Sequence, residues 1–125
     1  MKKLVTILAI ALSMIAMTTS CTKDPVVKAK KYSFQTELNW SIKAYLFEYN
    51  DAGDKINSQT VEKAEVGQVY PFTAHEDATK VKCYLKYTIL GKSESKWVQQ
   101  VFMLKEGSTV AINVNGDTII GNKEP

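Results

Sequence analysis

Few side chains in this sequence are of types that do covalent, metal or proton chemistry. There is one histidine, His75, there are two cysteines, Cys21 and Cys83, and all 16 basic residues are lysines. His75 sits in the run His75-Glu76-Asp77, where neighbouring acids invite a metal or an acid–base reading. A zinc site takes three or four ligands, and neither a second histidine nor a free cysteine stands nearby. A serine triad would need His75 together with a nucleophilic serine and an acid from other loops, and the chain has no Gly-x-Ser-x-Gly elbow. Asn50-Asp51-Ala52-Gly53-Asp54 is rich in oxygen, but an EF-hand loop requires alternating acids and a distal glutamate at fixed positions. Cys83 alternates with apolar neighbours, and its flanking cations Lys82 and Lys86 point to the other side of the strand. It reads as a small buried hydrophobe and not as an activated thiolate. These residues imply no catalytic centre, no metal and no cofactor.

What remains is aromatic. Tyr45, Phe47 and Tyr49 recur at every second position, opposite Trp40, Ile42, Ala44 and Leu46. Both rows cannot be fully wet. Either the strand is central and buried on both sides, core packing being the commoner outcome, or the tyrosine row is a possible ligand surface. Rings with polar tips suit sugars and protein surfaces because they offer large contact area at low entropic cost. Tyr84 extends such a surface only if its strand lies beside that of Tyr45.

The elements that must position these residues read as strands from Tyr32 onward, because the apolar period is two and β-branched and aromatic residues fill the apolar runs. In Lys80 to Leu90, Val81, Cys83, Leu85, Tyr87 and Ile89 alternate with polar neighbours, the mark of a sheet with one solvated face. Tyr32 to Leu38, Ser41 to Tyr49, Lys55 to Val61, Gln68 to Ala74, Trp97 to Leu104 and Val110 to Val114 are the other candidates. Pro71 cannot donate to a ladder and points to an edge strand. Trp97 to Leu104, apolar on both faces except at Gln99 and Gln100, suits a more central position. Asn50 to Asp54, Gly91 to Ser95 and Glu106 to Ser108 are turn clusters. The fold class is all-β, an antiparallel β-sandwich of about seven strands. A domain of about 95 residues hides roughly 60 to 70% of its unfolded surface, enough for one core without disulfides or metal.

The strand pattern resembles small immunoglobulin-like or transthyretin-like secreted modules, although the buried cysteine pair and tryptophan of antibody domains are absent. The first residues carry a second resemblance. Met1-Lys2-Lys3 precedes an uncharged apolar stretch from Leu4 to Met17, then Thr18-Thr19-Ser20 and Cys21. A positive end, a short apolar run and a small-residue exit make a secretory signal, and the run is short of the roughly 20 residues that a spanning helix needs. Ser20 and Thr19 before Cys21 resemble a bacterial lipobox, with Thr18 standing where that pattern usually has an aliphatic residue. The resemblance implies a signal peptide over 1–20, an acylated Cys21 as the mature N-terminus, a lysine-rich tether over 21–31 and a single domain over 32–125. It also implies localisation at an outer membrane, facing either the periplasm or the cell surface, with the acyl chains as the membrane contact. Asn39-Trp40-Ser41 fits a glycosylation acceptor, which is accidental in such a lipoprotein.

Loss of Lys2 and Lys3 from the 16 lysines leaves 14 against 13 acids, so the formal +3 nearly vanishes. A near-neutral chain without arginine lacks the field and the bidentate forks of nucleic-acid recognition. The expectation is a non-catalytic, lipid-anchored envelope protein. Its partners beyond the membrane would be a glycan, bound by the aromatic row of an adhesive module, or a protein of a larger envelope complex.

Overall fold

The computed structural model describes residues 28–125. The signal over 1–20, the lipidation candidate Cys21 and the tether as far as residue 27 lie outside the described residues. Eight strands follow: β1 (Lys31–Thr36), β2 (Ser41–Tyr49), β3 (Lys55–Ala64), β4 (Tyr70–Thr73), β5 (Lys80–Ile89), β6 (Lys92–Met103), β7 (Thr109–Val114) and β8 (Ile120–Gly121). They form two sheets, ordered β4-β1-β7 and β3-β2-β5-β6-β8, and no helix occurs among the described residues. The protein is an all-β sandwich.

Alternation explains the layering. Tyr32 and Phe34 of β1 and Ile112 and Val114 of β7 turn inward from the small sheet. Ile42, Ala44 and Leu46 of β2 and Val81, Cys83, Leu85 and Tyr87 of β5 meet them from the large one. Each large side chain so buried contributes about 1.5–3 kcal/mol. One charged side chain shares this core. Glu48 is 0% exposed, yet its carboxylate is satisfied: the Tyr32 hydroxyl donates to Oε2 at 2.5 Å, and Asn57 Nδ2 and the His75 backbone N–H donate to Oε1 at 3.1 and 2.7 Å. Burial first, and then the Glu48 carboxylate, push the Tyr32 hydroxyl far above the ordinary tyrosine range.

Several expectations change in detail. The strand count is eight because β8, two residues long, is too short to show a period. The expected turn over Gly91 to Ser95 is instead the start of β6. The chain reverses at Leu90-Gly91, with φ of 51° and 78°, and Ile89 pairs with Lys92 across it. Two consecutive positive φ values fit the twist of a two-residue hairpin, so Lys92 to Ser95 remain in the ladder. β6 is flanked outside β5 only by β8 at Trp97 and Val98, and is less central than its apolar run suggests. β4, which holds Pro71, is an edge strand, as expected. The end of the expected tether is docked on the domain: Ala74 N–H donates to the Lys30 carbonyl at 2.9 Å and Gly107 N–H to that of Ala29 at 3.0 Å. The β1 to β7 pairing is parallel, and β1 and β2 lie in opposite sheets.

Candidate ligand-binding face

The outer face of the five-stranded sheet gathers the aromatic row of the sequence into a cluster. Since Ile42, Ala44, Leu46 and Glu48 turn inward, parity sends Lys43, Tyr45, Phe47 and Tyr49 outward from β2. β5 is their neighbour, pairing Lys43 with Lys86, Tyr45 with Tyr84 and Phe47 with Lys82. On the far side of β5, Tyr84 pairs with Trp97 of β6. Four rings close into one cluster in which each touches two others. Tyr45 stacks on Phe47 at 6.1 Å with planes 5° apart, and Tyr45 meets Tyr84 at 6.1 Å. Phe47 meets Trp97 at 5.6 Å, and Tyr84 meets Trp97 at 4.8 Å. Such pairs contribute about 0.5–1.5 kcal/mol each beyond their buried area. All four rings are half-buried, so the cluster presents ring surface to solvent while its members hold one another.

Lysines frame the cluster. Lys43 and Lys86 place Nζ 5.2 and 5.7 Å from the Tyr45 centroid, and Lys55 stands 4.3 Å from that of Phe47. Cation–π attraction at wet sites is about 0.5–1 kcal/mol, enough to bias where these flexible stems rest. Lys43 is also paired with Glu62 at 3.1 Å. Among the described residues, Lys55 and Lys86 have no carboxylate within ion-pair distance.

The expected row thus divides. Tyr45 and Phe47 lie open on the face, whereas Tyr49 is 6% exposed beneath the segment that follows β8. Its hydroxyl donates to Glu124 Oε2 at 3.1 Å, and Lys82 Nζ lies 4.5 Å from its ring centroid and 2.7 Å from the same Glu124 oxygen. Burial, then the Glu124 carboxylate, push the Tyr49 hydroxyl up to about 12, so at neutral pH it is a donor. Lys82 above all, with Tyr49 and Lys55, holds the Glu124 carboxyl below its usual range.

Tyr84 joins the surface because β2 and β5 are neighbours, the condition that the sequence left open. Trp97 was missed as a member. Its strand was legible but its neighbour was not, and a bulge between Lys82 and Tyr84 further obscures the register. The lysine frame was readable in part from the parity of Lys82 and Lys86.

The other chemical candidates lie elsewhere. Cys83 is 0% exposed, and burial pushes its thiol far up, which leaves no thiolate for attack. His75 is exposed beside Asp77, whose backbone N–H donates to Nδ1 at 3.1 Å; the structural contact is its own backbone N–H to Glu48. Asn50 to Asp54 forms a compact turn, with Asp54 N–H donating to Asn50 Oδ1 at 2.9 Å and Gly53 at φ 87°. No three His, Cys, Asp or Glu side chains converge on a metal-sized site among the described residues. A cleft of about 380 Å³ between β6 and β7 has Asp117 as its one titratable lining residue, and so presents no acid–base pair. Comparison with protein-family models, with curated proteins and with solved structures finds no match.

Proposed function

We propose that this protein is a non-catalytic carbohydrate-binding module of the bacterial envelope, anchored by acyl chains on Cys21 and engaging its ligand through the outer face of the five-stranded sheet. The observation that supports this reading is the contiguous Tyr45, Phe47, Tyr84 and Trp97 cluster, with ring centroids 4.8 to 6.1 Å apart. Pyranose rings present apolar C–H faces that stack on aromatic surfaces, while tyrosine hydroxyls and the indole N–H serve sugar hydroxyls. The rings hold one another on three hydrogen-bonded strands, so they are pre-organised and lose little freedom on binding. Anchoring would add local concentration, which lets modest contacts hold a polymer.

The test is a fluorescence titration of the detergent-solubilised full chain with a panel of oligosaccharides. Trp97 lies within the cluster and Trp40 packs on Tyr87 at the other side of the sheet, so a Trp40→Phe variant isolates the reporting ring. Saturable change in Trp97 emission, reduced about fivefold or more in affinity by Tyr84→Ala, is expected, taking base stacking on one ring, on the order of 1–3 kcal/mol, as the guide. Emission indifferent to every glycan would remove the reading.

A further inference from the structure

The outer face is not empty at its Tyr49 end. The segment after β8 crosses β6 and lays a carboxylate there. Gln99 Nε2 donates to the Lys123 carbonyl at 2.7 Å and Lys96 Nζ to Asn122 Oδ1 at 2.7 Å. A Cβ at Gly121 would stand 3.1 Å from Gln99 Nε2, so a larger residue there would press on the same contact. These contacts deliver Glu124 Oε2 to Lys82 Nζ and the Tyr49 hydroxyl. The Glu124 side chain remains 45% exposed while that of Lys82 is 17% exposed. The receptor groups are the more enclosed, and the carboxylate that fills them is the more accessible.

We propose that Lys82 and Tyr49 form a carboxylate subsite of the aromatic face, that Glu124 occupies it in the free protein, and that the ligand is an acidic glycan whose uronate displaces Glu124. This rests on the carbohydrate reading above and adds the ligand's charge. The geometry is that of a polymer that alternates apolar ring and anion. Lys82 and Tyr84 are two apart on β5, and Tyr49 and Phe47 two apart on β2, a step of roughly 7 Å along either strand. A pyranose stacked on Phe47 and Trp97 would therefore hold its carboxylate beside Lys82. At the other end, Lys86 leans over Tyr45 with no carboxylate at ion-pair distance among the described residues and offers charge to a further unit. The hydroxyls of a neutral glycan would replace part of the water around the Lys82 and Lys86 ammonium groups, whereas a carboxylate adds the stronger charge-assisted hydrogen bond.

Self-occupation also sets the affinity. If the Glu124 arm is closed in nine molecules of ten, the apparent dissociation constant is raised about tenfold over that of the open face. The neutral variant Glu124→Gln should relieve this.

The experiment compares oligogalacturonate with its methyl ester, which has the same backbone without charge, on the full chain in detergent, with oligothymidylate as a second polyanion. Oligogalacturonate is expected to bind, to bind about tenfold more tightly to Glu124→Gln, and to weaken with added salt. Lys82→Gln should abolish the preference for oligogalacturonate over its methyl ester, and an unchanged circular dichroism spectrum and unfolding midpoint show that the variant is folded. Equal affinity for acid and ester, or no gain in Glu124→Gln, overturns the acidic subsite while the aromatic reading stands. Oligothymidylate binding as tightly as oligogalacturonate overturns the glycan assignment, and binding of neither saccharide by either the native chain or Glu124→Gln overturns both.

Discussion

At the scale of single residues, Glu48 illustrates how a polar group can sit in an apolar core when each of its oxygens has a donor. Its three donors come from three segments, Tyr32 on the opposite sheet, Asn57 on β3 and His75 in the loop after β4. The carboxylate therefore ties the layers together as well as ending the inward row of β2. Removing it leaves buried donors unpaired and opens a void, so Glu48→Ala should lose about 3 kcal/mol. Tyr32→Phe keeps the packing and two of the three donors, and should lose about 1–2 kcal/mol. Urea denaturation of both variants and of the double variant checks this. The double loss should be smaller than the sum, since the two groups share one hydrogen bond. Additive losses would show that the pair is not coupled. The row Ile42, Ala44 and Leu46 was legible in the sequence, but Glu48 was not singled out, and nothing in the spacing showed that Tyr32 and His75 would reach it. Long-range partners of a buried carboxylate are a property of sheet packing.

At the scale of elements, most strands were legible because each has one dry face, and alternation records that directly. β2 is the clearest case, with bounds that follow from Ser41 to Tyr49 alone. The hairpin between β5 and β6 was misread for a local reason. Lys92-Ser93-Glu94-Ser95 is polar like a loop, whereas the reversal uses Leu90, an apolar residue in a left-handed conformation and 96% exposed. An L-residue with a Cβ is strained there by about 1–2 kcal/mol, and asparagine tolerates that region better. Leu90→Asn should therefore raise stability by about 1 kcal/mol, read as a higher urea midpoint with an unchanged denaturant slope. A lowered midpoint would mean that Leu90 makes a contact worth more than the strain. The candidate face was half legible for a related reason. Rows along a strand follow from the sequence, but the lateral neighbours that join Tyr45 to Tyr84 and Tyr84 to Trp97 depend on strand order, which periodicity does not encode.

At the scale of the whole molecule, the two ends of the described chain serve different sheets. Lys28 to Lys31 enter beside β4 and β7, where Gly107 and Ser108 hold them, while the aromatic face belongs to the other sheet, roughly 10 Å away across the core. A chain tethered through its first residues would thus have its ligand face on the layer opposite the one that Lys28 to Lys31 enter. Residues 22–27 at full extension reach at most about 20 Å, so an acylated Cys21 would hold the sandwich close to the headgroups. Two or three acyl chains make that attachment durable, because each buried methylene is worth about 0.8 kcal/mol and a single chain binds only marginally. Cys21→Ser should consequently move the protein from the membrane to the soluble fraction. Intact-mass measurement should show acyl mass on the native chain and none on the variant. The sandwich should keep its unfolding midpoint and its affinity for soluble oligosaccharide, since the described core and ring cluster are built from residues between Tyr32 and Val114. Retention of Cys21→Ser in the membrane fraction would contradict the anchor, and loss of oligosaccharide affinity in the released protein would show that the first residues belong to the binding face after all.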